Sequence, residues 1–347
     1  MDITVLSPNE AQNALLLNWM ATEIAKEMGL HVRVPTALVG GVGCGKTDSV
    51  RSFAVRLKGI DEGAKLWNVR MSHILPEDLG GYAAKNEESK RLTYYMSESL
   101  PFDSDELGVI FLDEFDRASE QNQNAALPLV YGDEFHGHFI STNAYVVLAL
   151  NGEADEYTTP LSNAARSRVC SIFVKRDLAS YIDWATKNGI PDNVIQFHRD
   201  HGELFGGGCE FSELAICTSR TLDMAGMISL ARDRLGERIS EKVYQACIYG
   251  VIGLHAGSKY LLAERLNKLI DFKGIFETPE SVEMPAFENY QYIIGVVVNR
   301  CKNDHSLVGA VITWGKRITS REWQQHLKDE LIRVLPDDVK LGHRLLF

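Results

Sequence analysis

The eight residues Gly40-Gly41-Val42-Gly43-Cys44-Gly45-Lys46-Thr47 fit the pattern G-x-x-x-x-G-K-[ST] and follow directly on the apolar run Val34-Pro35-Thr36-Ala37-Leu38-Val39. A strand that ends in a glycine-rich turn and re-enters as a helix points successive backbone N–H groups into one concavity, where phosphate oxygens are cradled. Residues 49–58 are helix-compatible, so both flanks that the motif requires are present. Lys46 then reaches the β- and γ-phosphates of a nucleotide, and the Thr47 hydroxyl holds Mg2+. A chain with such a loop is expected to build an open α/β sheet with its ligand at the carboxyl ends of the strands.

A second element fits that geometry. Leu107-Gly108-Val109-Ile110-Phe111-Leu112-Asp113-Glu114 is an apolar run of strand length that ends in two carboxylates, the Walker B arrangement. Asp113 is expected to hold Mg2+ through water, and Glu114 to orient and polarise the attacking water. The strand-like run 144–150 delivers Asn151, followed by Gly152. A neutral amide there can hydrogen-bond the water or the γ-phosphate without adding charge beside Glu114.

Three arginines complete the set. Leu161-Ser162-Asn163-Ala164-Ala165-Arg166-Ser167-Arg168-Val169 precedes a further apolar strand at 170–174. Neither Arg166 nor Arg168 obviously reaches the chain's own phosphates; donated to a neighbouring subunit, either stabilises charge developing on the transferred phosphoryl group. In Thr218-Ser219-Arg220-Thr221, Thr218 or Ser219 is expected to cap a helix, with Arg220 in its first turn. A cation there opposes the helix dipole, so helix stability does not explain it and a functional role does.

The rest of the chain bounds these readings. A length of 347 residues exceeds what one hydrophobic core organises,. The net charge of −11 argues against a protein whose main task is gripping nucleic-acid phosphates,, and the excess of nine Lys/Arg over six Asp/Glu from residue 299 onward is too small for a binding patch. Six cysteines without a C-x-x-C or zinc-ligand spacing suggest neither a metal site nor a disulfide framework, so a reduced, cytoplasmic setting is expected,. No run is long enough to cross a bilayer, and the N-terminus lacks the regions of a signal peptide,. Periodicity predicts a helix from Pro8 to Met28, with Ser7-Pro8 and Glu10 as its start and Ala11, Leu15, Leu16, Trp19, Met20, Ile24 and Met28 packing,. The polar stretch between Gly80 and Pro101 reads as a solvated hairpin or helix, or as an insertion facing a ring pore or a partner. Residues 131–141 read as a hairpin with the tip His136-Gly137-His138, where no third ligand supports a metal,. Beyond Lys175 helical patterns take over at 178–187, 191–205, 221–235 and 241–269, with Gly206-Gly207-Gly208 as a flexible break, and then at 290–298, 307–315 and 321–334,. Trp314 and Trp323 read as core or docking residues.

Phosphate loop, Asp113-Glu114, Asn151, the Arg166/Arg168 pair and Arg220 stand in the order and spacing of an AAA+ ATPase. The chain resembles the MoxR-like branch of that superfamily, which includes activators of carboxylation enzymes and proteins encoded by bacteriophages. The narrower resemblance rests on Leu75-Pro76-Glu77-Asp78-Leu79-Gly80, Phe111-Leu112-Asp113-Glu114-Phe115-Asp116-Arg117-Ala118, the hairpin before Asn151 and Thr218-Ser219-Arg220. It covers roughly residues 30–235, and the remainder matches loosely. The resemblance implies an α/β fold: a P-loop NTPase αβα sandwich on a five-stranded parallel sheet (1–176), an all-α lid (177–270) and a helical C-terminal extension (271–347). It implies ATP hydrolysis with Mg2+ in a hexameric ring, with Asn151 as sensor 1, Arg220 as sensor 2, and as the arginine finger Arg168, which aligns best because it immediately precedes the last strand, or its competitor Arg166. Ser167-Arg168-Val169 departs from the Asp-Arg-Phe of many relatives, which leaves both fingers open. The branch implies a chaperone or remodelling role on a protein partner; a von Willebrand factor A partner would be a separate polypeptide, because no D-x-S-x-S motif occurs here. Rival readings are a nucleic-acid-directed ring motor, a nucleotide-gated scaffold that hardly hydrolyses, and a small-molecule kinase.

Overall fold

The computed structural model describes residues 4–131, 134–152, 159–205 and 217–343. The chain divides into two compact units, 1–180 and 181–347. The tri-glycine stretch 206–208 and residues Gly132 and Asp133 of the expected hairpin lie outside the described residues.

In the first unit, β1 (Val5–Leu6), α1 (Pro8–Glu27), β2 (Thr36–Val39), α2 (Lys46–Lys58), β3 (Lys65–Arg70), α3 (Pro76–Gly80), β4 (Tyr82–Asn86), β5 (Arg91–Tyr95), β6 (Gly108–Asp113), α4 (Glu120–Tyr131), β7 (Glu134–Phe135), β8 (His138–Phe139), β9 (Ala144–Leu150), α5 (Asn163–Arg166) and β10 (Cys170–Val174) follow in order. The main sheet is parallel, in the order β1-β10-β2-β9-β6-β3. It has six strands where the sequence predicts five. The sixth is Val5–Leu6, too short to show a period, which pairs with Phe173 and Val174.

Alternation along the central strands explains why both faces must be covered. Val109 and Phe111 of β6 join Tyr145, Val147 and Ala149 of β9 under Leu15 and Trp19 of α1 and Val50, Phe53 and Leu57 of α2. Ile110 and Leu112, with Val146, Leu148 and Leu150, face Leu79, Ala126, Leu129 and Val130 on the other side. Full burial of each such side chain contributes about 1.5–3 kcal/mol, so the middle strands are the part of the sheet least free to shift. Ser7 caps α1 with a reciprocal box: its Oγ accepts from Glu10 N at 3.3 Å, and Glu10 Oε2 accepts from Ser7 N at 2.8 Å. Of the predicted packing stripe on α1, Met20 and Ile24 stay exposed, as does Met28 beyond its end, because only the side bearing Ala11, Leu15 and Trp19 meets the sheet.

The stretch after Gly80 is the hairpin β4–β5, with Tyr82 opposite Tyr95 and Ala83 opposite Tyr94. The second hairpin, β7–β8, turns through His136 and Gly137, both at positive φ (48° and 90°). The two hairpins lock together: the His136 ring stacks on Tyr94 at 3.6 Å, and His138 bonds Asp103 Oδ2 at 2.6 Å and the Tyr94 carbonyl at 3.1 Å. Both histidine rings are therefore engaged in holding hairpins.

The second unit begins within α6 (Leu178–Lys187) and continues as α7 (Asp192–Asp200), α8 (Ser219–Leu235), α9 (Glu241–Ile252), α10 (Leu254–Asn267), α11 (Phe272–Glu277), α12 (Tyr290–Asn303), α13 (Val308–Gly315), α14 (Arg321–Val334) and α15 (Asp337–His343). The run 241–269, expected as one helix, is broken at Gly253, whose φ of 80° leaves the helical region,. One core collects Phe197, Leu222, Tyr244, Ile248 and Tyr260, and another collects Phe272, Ile293, Val297, Trp314 and Leu327. Between them, Arg300 of α12 grips the buried Asp200 of α7 with two bonds, at 2.7 and 2.8 Å.

Candidate functional site

Parallel register brings three strand ends to one edge. Val39 of β2 pairs with Leu150 of β9, Leu112 of β6 pairs with Leu148, and Gly40 N donates to Leu150 O at 3.1 Å. Gly40, Asn151 and Asp113 therefore leave the sheet side by side. From Gly40 the chain turns through Gly43 (φ 74°) to Gly45 (φ 91°), which stands as the N-cap of α2. Gly40 has no room for a side chain, since a Cβ there would lie 2.3 Å from Val174 O and 2.8 Å from Cys44 Sγ. Arg176 donates to Val42 O at 2.6 Å and steadies the outer part of the loop.

Lys46, the first residue of α2, is buried, and its Nζ donates to Gly40 O at 2.5 Å, Gly41 O at 3.1 Å and Asn151 Oδ1 at 3.1 Å. Burial pushes its pKa below the ordinary lysine value, opposed by Cys44, Asp116 and Asp113 nearby. The structure thus brings Lys46 and Asn151 into direct contact.

At the end of β6 the chain bends sharply. Glu114 sits at φ 54° and ψ 40° in the left-handed region, which few non-glycine residues adopt,. Its Oε2 accepts from Ser72 Oγ at 2.6 Å, in the turn after β3, and its backbone N donates to Asp113 Oδ1 at 3.0 Å. Two residues on lies Asp116, 2% exposed, whose Oδ2 accepts from Asn151 N at 2.6 Å and Gly152 N at 3.0 Å. Burial raises the Asp116 pKa, against the pull of those two amides,. Neither Ser72 nor Asp116 was marked as a site residue by sequence reasoning. Ser72 carries no local signal. Asp116, one of two adjacent charges in the Phe115–Ala118 turn, gives no local sign that it is the buried one.

The arginines differ. Arg168 lies over the Tyr131 ring at 4.4 Å and donates to Ala164 O at 3.2 Å. Arg166, the last residue of α5, is exposed, and its side chain makes no hydrogen bond or ion pair among the described residues. Arg220 occupies the first turn of α8, in the second unit; of the two expected caps, Thr218 is the one used, its Oγ1 accepting from Thr221 N at 3.3 Å.

The donor set suits Mg2+, a hard cation that prefers oxygen and keeps waters and substrate phosphates in its shell. Thr47 offers a hydroxyl and Asp113 a carboxylate whose Oδ2 makes no hydrogen bond among the described residues. No cluster of three or more His, Cys, Asp or Glu that could cage an ion by itself exists among the described residues, and no described helix is long and apolar enough to cross a membrane.

Residues 36–171 match the model of the ATPase family associated with various cellular activities (AAA). No curated protein matches the chain. Similar solved structures include a candidate ATPase from Cytophaga hutchinsonii, 16% identical with a TM-score of 0.36, the match covering 77% of this chain and 91% of that one. Another is NtrX from Brucella abortus, 13% identical with a TM-score of 0.42, covering 96% of this chain and 69% of that one. The family match opens on the first residue of β2 and closes inside β10, so the part of this chain that is similar to the AAA family is the part that carries the phosphate loop and the acidic turn.

Proposed function

We propose that the protein is an Mg2+-dependent ATPase of the MoxR-like branch that assembles into a ring and remodels a protein partner. The observation that carries this reading is the convergence at one sheet edge of Lys46, Asn151, Asp113 and Glu114. Backbone N–H groups of the 40–47 loop and the Lys46 ammonium bind the phosphates of ATP, and Thr47 and Asp113 hold the ion, which when bound screens phosphate charge and aligns the γ-phosphate. Glu114 takes the proton of the attacking water, and Asn151 orients that water. A lysine has three donors, and those of Lys46 rest on Gly40 O, Gly41 O and Asn151 Oδ1, so phosphate capture exchanges at least one of these bonds. Arg166, whose side chain is free of partners among the described residues, is the better candidate to reach a neighbouring subunit's phosphates, whereas Arg168 is engaged with Tyr131. Arg220 on α8 reports the bound nucleotide to the lid. A protein target is supported by exposed Tyr82, Leu92, Tyr95 and Phe139 on the two hairpins, and by the acidic net charge of −11.

A second reading, a nucleotide-gated scaffold with little turnover, is favoured by the Ser72 hydroxyl on Glu114, which occupies the carboxylate that must take a proton. Turnover and solution mass measured across protein concentration separate the two. A remodelling ATPase gains specific activity as it assembles, and Glu114→Gln loses about 100-fold or more in turnover while still binding ATP. Arg166→Ala is expected to lose turnover more than Arg168→Ala and to recover activity when mixed with Glu114→Gln. Wild-type turnover no faster than that of Glu114→Gln at every concentration would sink the ATPase reading in favour of the scaffold.

A further inference from the structure

We propose that Asp116 is a positioning residue of this site: by holding the amides of Asn151 and Gly152 it aims the Asn151 side chain at Lys46. The inference rests on the nucleotide-site reading above and adds a residue to it. Three observations carry it. First, Asp116 Oδ2 takes both amides at the very point where β9 ends, at 2.6 and 3.0 Å, and the Oδ1 of the Asn151 so held meets Lys46 Nζ at 3.1 Å. The path from carboxylate to ammonium is a single residue long.

Second, the same residue holds the chain on the far side as well. Its backbone carbonyl accepts from Thr159 N at 2.6 Å, and Thr159 O in turn accepts from Gln123 Nε2 at 3.1 Å. Gly152 and Thr159 are thus both tied to one turn after β6, so Asn151 is fixed relative to the Glu114 that begins that turn.

Third, the arrangement is not one that stability alone would select. The Asp116 side chain is buried, and its Oδ1 has no hydrogen-bond partner among the described residues. A buried carboxylate using half of its acceptors costs free energy that a serine or an apolar residue in the same short turn would avoid. Rules of local stability are broken in this way at sites where a first layer of reactive groups must be held by a second.

The test uses the full chain with Asp116→Asn, Asp116→Ala and Asp116→Leu, the last filling the space without an acceptor, each alone and combined with Asn151→Ala. Amide hydrogen exchange without nucleotide reads the clamp itself: Asn151 and Gly152 stay protected in wild type and Asp116→Asn and exchange at least about 10-fold faster in Asp116→Ala and Asp116→Leu. Mg·ATP turnover reads its consequence: Asp116→Ala and Asp116→Leu lose about 10- to 100-fold in kcat with KM within about 2-fold. Each Asp116 variant combined with Asn151→Ala is expected to be no slower than Asn151→Ala alone, and Asp116→Asn to retain most of the wild-type rate. If Asp116→Ala does not fold, Asp116→Leu decides. Unchanged amide protection in that variant, or losses that add to those of Asn151→Ala, overturns the proposal. A wild type that neither binds nor hydrolyses ATP overturns the nucleotide reading instead, while hydrogen exchange still judges the clamp.

Discussion

The phosphate loop and the acidic turn leave β2 and β6, the two strands that flank β9 in one sheet, yet they reach their unusual backbone shapes by opposite means. In the loop the left-handed positions belong to Gly43 and Gly45, at φ 74° and 91°, where no Cβ opposes them,. In the turn the left-handed position belongs to Glu114, at φ 54°, at a cost of order 1 kcal/mol. The loop is shaped by what its residues lack. The turn is shaped by what surrounds it: Ser72 on the glutamate side chain and Asp116 tied to the next strand. One shape is intrinsic and the other is imposed, and only the imposed one can be released by a mutation elsewhere in the chain.

The comparison is broken most strongly at the lysine. Lys46→Ala removes a buried cation from the loop and is expected to weaken ATP binding by about 100-fold or more, at roughly 1.5–3 kcal/mol per charged hydrogen bond; titration calorimetry on the Glu114→Gln background reads it without hydrolysis. Next comes Gly40→Ala. The new methyl would meet the Val174 carbonyl at 2.3 Å, and a loss of about 1–3 kcal/mol in unfolding free energy is expected by denaturant titration. Glu114 distinguishes strain from chemistry. Asparagine tolerates the left-handed region and valine does not, so Glu114→Asn should be about 1 kcal/mol more stable than Glu114→Val although both lose turnover; equal midpoints would mean that the turn stores no strain. The smallest effect is expected at Gly41→Ala, where a Cβ meets nothing within 4 Å and stability should hold within about 0.5 kcal/mol.

The same contrast explains what could be read from the amino-acid order. Gly40 through Thr47 announces a phosphate loop because contiguous residues make it, and the alternation in β6 and β9 announces a two-faced buried sheet for the same reason. Asn151 was legible as the residue after a strand. Its contact with Lys46 was not, because it depends on β2 and β9 being neighbours, which no local pattern states. Ser72 was invisible since it acts only on a glutamate 42 positions away. Val5–Leu6 was missed as a strand because two residues cannot show a period, and Gly253 was passed over inside an otherwise helical run because one glycine costs a helix only about 1 kcal/mol.

The pair formed by Arg300 and Asp200 has a mechanical consequence. Asp200 ends α7, near the start of the second unit, and Arg300 belongs to α12, a hundred residues on, and separating them would strand a carboxylate whose side chain is 1% exposed, at about 3–5 kcal/mol. That exceeds what thermal motion supplies, so α7 and α12 act as one stiff arm. A displacement that moves α7 is therefore expected to move α12, and α14 packed against it, rather than to be absorbed between the two cores.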